Sequence, residues 1–341
     1  MTADKYTEDW LEREFIGYGM QPPNPEWPGG AKVCVSFIIQ YNMGAESSPL
    51  NGDEKSCDKL LEIPRTKAHN QRYEAAEQMY EYGAREGVPR LLNIFKKYKV
   101  PVTWNIYTQA IERNPFWMKP IMESGAELSL GGHRWRDNLH ENIKPEVEDA
   151  DIQRSIDILQ DVTGDRSLPK GWFVEQRSNI STKLYSLAHA AKDLPLVYSS
   201  DSCQDDLPYW IPSPTRETNK GLLMVPFTYD TSDMRFNMRG SGWASPADWA
   251  IYLKDTFDCF YEEAEAGEPK MMTTLLHPHI CGRPNRMIHL ESFIKYAQSK
   301  GAWFARRMDI AHHWQEKFPY DPQTAFGQTK VPECGQILIP V

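Results

Sequence analysis

The sequence predicts an α/β fold: one domain built on a mainly parallel sheet or barrel. Strand-like and helix-like segments alternate through most of the chain, the pattern that lays parallel strands side by side. The strand candidates are short apolar runs rich in β-branched residues, as buried strands are. No internal repeat or low-complexity linker divides the 341 residues, and a hydrophobic fraction of 40% is ample for one packed core.

The elements follow in order. Residues 1–30 are rich in Pro and Gly and end in Trp27-Pro28-Gly29-Gly30, which reads as an extended arm. Ala31 to Tyr41 (AKVCVSFIIQY) is a buried strand, and residues 43–67 form a long loop. A helix starts at about Pro89, with Leu91, Leu92 and Phe95 on its apolar side, and Val100 to Tyr107 is the next strand. Asp151 to Val162 places Ile152, Ile156, Leu159 and Val162 on one helical face, stopped by Gly164. Ser245-Pro246 opens another helix as cap and first-turn proline. Met271 to Leu276 is a strand, a helix through Leu290 to Ala297 ends at Gly301, and Ala302 to Arg306 is a short strand before a last helix with Ile310 and Trp314. The expected divisions are an arm over 1–30, a barrel over 31–318 and a tail over 319–341.

A net charge of −9 argues against nucleic acid or an anionic membrane as partner. Met1 to Phe15 is too charged for a signal peptide and no apolar run approaches a membrane span, so a cytoplasmic protein is expected. The six cysteines show no Cys-x-x-Cys spacing and read as free thiols.

In a barrel the chemistry sits where strands give way to loops. The segments after Tyr41, Tyr107, Leu130, Phe173, Ser199, Phe227 and Leu276 should therefore ring one mouth. His277 closes an apolar strand there; its imidazole titrates near neutrality and can protonate a departing nitrogen, the other reading being a satisfied core histidine. His279 shares its face if the strand continues past Pro278. Arg177 could orient a carboxylate or polarise a carbonyl, or form a structural ion pair with Glu175 or an Asp of the next loop. Asp201, Asp205 and Asp206 crowd one loop, as a base, a clamp for Arg177, or ordinary loop caps. His133 and His140, with Asp137 between, are spaced for a loop clamp on a metal or for a plain pocket wall.

Several stretches together resemble the polysaccharide deacetylase (NodB-like) superfamily, and within it the purine-utilisation allantoinase and cyclic imide hydrolase branch. They are residues 27–31, Tyr82 to Val88, Gly171-Trp172-Phe173 with Arg177, Asp205 to Trp210, Asp230 to Phe236, His277 with Gly282-Arg283-Pro284, and Trp303 to Arg307. The resemblance implies a distorted (β/α) barrel of about seven parallel strands and a homo-oligomer. It also implies C–N hydrolysis, usually with a divalent metal held by an acidic residue and two histidines, and a late histidine matching His277. The sequence departs from that pattern where ligands belong: Asn42 and Met43 replace carboxylates, the first acid nearby is Glu46, and Gly131 and Trp135 stand where histidines are expected.

The expected activity is hydrolysis of a non-peptide C–N bond in a small cyclic amide, imide or ureide. Catalysis is assigned to His277 and Arg177, with Glu46 or Asp201 as supporting carboxylate; Asn42, His133, Trp135, Glu175 and His279 are assigned to substrate contact. No metal site is assigned and no cofactor is expected, with zinc left open. The expected partner is a small molecule. A non-catalytic binding or assembly module is the alternative, and a polysaccharide N-deacetylase the third.

Overall fold

Strand β1 (Val33–Tyr41) is buried along its whole length and pairs with three other strands of the sheet. Its alternate residues Val33, Val35, Phe37, Ile39 and Tyr41 join the main core with the surrounding helices, which turns Ser36, Ile38 and Gln40 toward the barrel interior. The computed structural model describes residues 3–6, 13–62, 71–135, 143–175, 177–217, 219–238 and 242–326.

Strands β2 (Thr103–Tyr107), β3 (Glu127–Gly132), β4 (Gly171–Trp172) and β5 (Tyr198–Ser199) follow β1 on one side, all parallel. The order ends in the antiparallel hairpin of β6 (Tyr209–Pro212) and β7 (Gly221–Met224), with β7 parallel to β5. On the other side β1 pairs with β8 (Lys270–Leu276), while β9 (Trp303–Phe304) pairs with its early residues. The chain after β7 then reaches β8, where Thr228 N–H donates to Thr273 O at 3.1 Å. This curls the sheet into the distorted NodB-like (β/α) barrel.

Inside the barrel, Ile38, Phe173 and Leu275 form an apolar plug with Phe227 against it. On one side of the plug lies a polar group around Arg307 and Glu127; on the other lies one around His277 and Glu175.

The helix Val88–Tyr98 carries Pro89 in its first turn and buries Leu91, Ile94 and Phe95. The sequence reading missed what precedes it: a helix Glu74–Tyr82 continuing through a π-helical turn, Gly83–Gly87. A Cβ on Gly87 would stand 2.1 Å from the Pro278 carbonyl oxygen, so this turn packs its bare backbone against the chain that follows His277. The helix Pro145–Thr163 starts six residues before the expected Asp151, because Pro145 and the acidic Glu146 and Glu148 suit a first turn. The helix Pro246–Glu265 begins at the expected cap, where Ser245 and Asp248 form a capping box.

In the N-terminal region the buried Trp27 indole donates to Lys270 O at 3.0 Å, and Tyr18 OH donates to Pro208 O at 2.5 Å. Cys34, Cys57, Cys203, Cys259 and Cys281 are free thiols; Cys334 lies outside the described residues. Among the described residues no helix is long and apolar enough to cross a membrane.

Candidate active site

His277 follows the last residue of β8 and is fully buried. Both oxygens of Asp233 hold it: Oδ2 accepts the backbone N–H at 2.7 Å and Oδ1 accepts Nδ1–H at 2.6 Å. Asp233 opens a short 3₁₀ turn whose entry is fixed by Ser232, its hydroxyl accepting from Met234 N–H. Burial by itself would depress the imidazole, but the Asp233 carboxylate, helped by Glu175, pushes it up to about 10. Burial also raises the Asp233 carboxyl, against the pull of the imidazolium. That shift favours the imidazolium, and the ring's second nitrogen is free: Nε2 has no hydrogen-bond partner among the described residues and lies 3.6 Å from Glu175 Oε1.

Glu175 stands past the end of β4 with φ of 63°, a left-handed conformation that a glutamate adopts only under constraint. The constraint is visible. Asp201 Oδ1 accepts the backbone N–H of Val174 at 2.7 Å and of Glu175 at 3.3 Å, and Tyr107 OH donates to Val174 O at 2.8 Å. Oε2 of Glu175 accepts the Trp135 indole N–H at 3.0 Å and the Gln40 amide at 3.2 Å. Behind it Asn105 donates to Gln40 Oε1, and Ser129 donates to Asn105 Oδ1, each at 2.8 Å. One carboxylate oxygen is thus tied into a relay across three strands, β1, β2 and β3, and the other faces His277.

The predicted residues divide by place. His277, Glu175 and Trp135 meet at one point. Asp201 stands behind Glu175, its carboxyl raised by burial while Arg177 and the backbone N–H groups oppose. Arg177 is exposed, and with Asp201 and Asp205 it walls an open cleft of about 980 Å³ that residues 13–20 and Pro22 also line. His279 is buried on the short helix after His277, donating from Nε2 to Leu60 O at 3.1 Å, its ring 4.4 Å from Tyr80. His133 turns to Thr108, 3.0 Å from its Nδ1, and to Glu112. Glu46 is also buried; its Oε2 accepts Gly44 N–H at 2.5 Å near Arg113 and Glu77. Burial pushes that carboxyl up to about 7. Asn42 is buried beyond Gln40. Asp137 and His140 lie outside the described residues. Sequence reasoning did not single out Asp233 or Gln40, although Asp233 lies within the noted stretch Asp230 to Phe236 and Gln40 on the inward side of β1.

A divalent metal does not fit the side chains at the expected ligand positions. A Cβ on Gly131 would stand 2.6 Å from the Tyr107 ring, so no side chain is admitted there. Trp135 offers an N–H donor, already given to Glu175, and Asn42 a neutral amide. Nδ1 of His277 is taken by Asp233. Among the described residues no group of three or more His, Cys, Asp or Glu is arranged to hold a metal ion.

Residues 69–178 match the family model for polysaccharide deacetylase. A polysaccharide-deacetylase-like protein of Schizosaccharomyces pombe is 36% identical over 318 residues, covering 90% of this chain and 98% of the relative. The chain belongs to the polysaccharide deacetylase family. Among solved structures, a deacetylase-like protein from Pseudomonas aeruginosa PAO1 is 39% identical with a TM-score of 0.83, covering 91% of this chain and 99% of that one. Puue allantoinase is 37% identical, with the same TM-score of 0.83 and the same coverage of 91% and 99%. Membership thus sets the fold, and hydrolysis of a C–N bond fits the family coarsely.

Proposed function

We propose that this protein hydrolyses a non-peptide C–N bond in a small cyclic amide, imide or ureide, without a metal-bound water. The observation that carries the reading is the facing pair of Glu175 Oε1 and His277 Nε2, 3.6 Å apart. Water beside Glu175 attacks the ring carbonyl carbon while Glu175 takes its proton. The imidazolium N–H first stabilises the developing oxyanion and then protonates the ring nitrogen as the C–N bond breaks. The products are the ring-opened acid and the freed amine or amide. With the product gone, the proton on Glu175 returns to His277 across the gap, which resets both groups. Asp233 keeps the imidazole charged and oriented.

Substrate size follows from the walls. Gln40, Asn42 and His277 are fully buried and Trp135 is 1% exposed, which suits a flat molecule of a few heavy atoms. The likeness to an allantoinase supports the same substrate class. A cytoplasmic location agrees with such a metabolite. The test is a turnover screen of purified protein against cyclic ureides and imides beside acetylated glucosamine oligomers. Ring opening with no acetate release is expected; acetate release with the rings untouched would overturn the reading.

A further inference from the structure

Just past the end of β1 stands a side chain that the protein leaves unsatisfied. Asn42 is fully buried, yet neither its Nδ2 nor its Oδ1 has a hydrogen-bond partner among the described residues. Its backbone carbonyl does its own work, accepting Ala45 N–H at 2.9 Å to close the turn; the side chain is not needed for that. Buried amides almost always find partners, and an exception asks for a reason. Its direction gives one. Tyr41 and Met43 pack into the outer core, and Gln40 turns inward to Glu175. Alternation returns Asn42 to the Gln40 side, one step nearer the mouth.

Resting on the substrate class proposed above, we infer that Asn42 is the specificity-determining residue, reading the ring edge of the substrate by a two-point hydrogen bond. A carboxamide presents a donor and an acceptor side by side, on one edge. Its complement is a group whose N–H and C=O also lie side by side, which is an amide in the cis form. A five- or six-membered ring enforces that form. An open-chain secondary amide strongly favours trans and turns its N–H and C=O to opposite edges. Asn42 Nδ2–H therefore donates to the ring carbonyl while Oδ1 accepts the ring N–H, and an acetamido group cannot satisfy both. An aspartate at the same position would offer acceptors alone.

The probes are succinimide and N-methylsuccinimide, which differ by the ring N–H, observed by ligand NMR with parent protein, Asn42→Leu and Asn42→Asp. The same spectra report binding and any ring opening. Parent protein should bind succinimide about 10- to 100-fold more tightly than its N-methyl form, the usual scale for one buried polar group left unmatched. Asn42→Leu should bind the two alike and, having shed two unsatisfied groups, melt at or above the parent temperature. Equal binding of both probes to parent protein, no binding of either, retained preference in Asn42→Leu, or a lower melting temperature (the mark of a structural amide) would each overturn the inference. Failure of the hydrolase reading looks different: the preference would vanish with Asn42 while no sample opens the ring.

Discussion

The barrel interior holds two polar groups on either side of one apolar plug, and they differ in what they leave undone. At the Arg307 end every charge is met. The guanidinium donates to Ser200 Oγ at 3.1 Å, Thr273 Oγ1 at 2.5 Å, Pro226 O at 2.7 Å and Val225 O. Glu127 accepts from Thr103, Tyr198 and Met308 N–H at 2.6–2.8 Å. At the other end His277 Nε2 and both polar atoms of Asn42 are unmatched, and Glu175 is held at φ of 63°. Ser36 Oγ, in register with Thr273, is unpartnered at that end too, but its charges are saturated, and a saturated charged network specifies a core. An unsaturated one beside strained backbone is where a ligand completes the structure.

The largest effects should come from exchanging the two kinds of damage. Arg307→Met leaves Ser200, Thr273 and the Val225 and Pro226 carbonyls without their donor, and each buried polar group left unmet typically costs ~1–3 kcal/mol. The folded fraction should nevertheless turn over normally. Glu175→Gln should do the reverse: near-parent urea midpoint, with kcat down by ~10²–10⁴. Midpoint and kcat measured on the same samples check both. A Glu175→Gln protein that is merely unstable would erase the distinction between the two ends.

His277 comes next. His277→Ala should lower kcat by ~10²–10⁴ with KM little changed, since a proton donor acts mainly in the transition state. Its pH signature is specific. The imidazole is raised to about 10 in the folded protein, so the folded state binds the proton more tightly than the unfolded one. The stability it contributes is complete below the unfolded value of ~6.5 and is lost as pH rises through about 10. Activity should hold on the alkaline side until that range, and Asp233→Asn should bring the limb down toward neutrality. A parent limb already near pH 7 would mean that His277 works as a neutral base.

Much of this was legible in the sequence. His277 could be placed because an apolar run announces a strand and its last polar residue must stand at a mouth. Trp135 and Glu175 were found as mouth residues, and their roles emerged only when β3 and β4 were laid side by side. Asp233 was hidden because a 3₁₀ turn has no periodicity, and because its partner lies 44 residues away. Glu46 illustrates the opposite limit: nearness in sequence to the end of β1 says nothing of the side chain's direction after a tight turn, and the structure turns it to Gly44, near Arg113 and Glu77.

A smaller effect is expected of chelation. Gly131 and Trp135 supply no ligands, so dialysis against a chelator should leave ring opening within about twofold of its starting rate, far from the loss that removing a catalytic metal brings. About one zinc per chain by elemental analysis, with activity lost on its removal, would contradict the site as described.

The smallest effect separates Glu46 from the chemistry. Burial raises its carboxyl to about 7 in the folded protein, with Gly44 N–H and Arg113 only partly offsetting this. An acid raised on folding binds its proton more tightly in the native state, so native stability falls as pH rises from ~4.5 through about 7. That window lies below the one set by His277, and the two can be read apart. Glu46→Gln keeps the shape and an acceptor for Gly44 N–H but cannot ionise. Urea midpoints at pH 4.5 and 7.5 should therefore differ less in the variant than in the parent, with the variant at least as stable at the higher pH. An unchanged difference would mean that Glu46 ionises freely in the folded chain, through water or a movement of the turn. A loss of kcat with stability intact would instead carry the catalytic machinery beyond Glu175 and into the loop after β1.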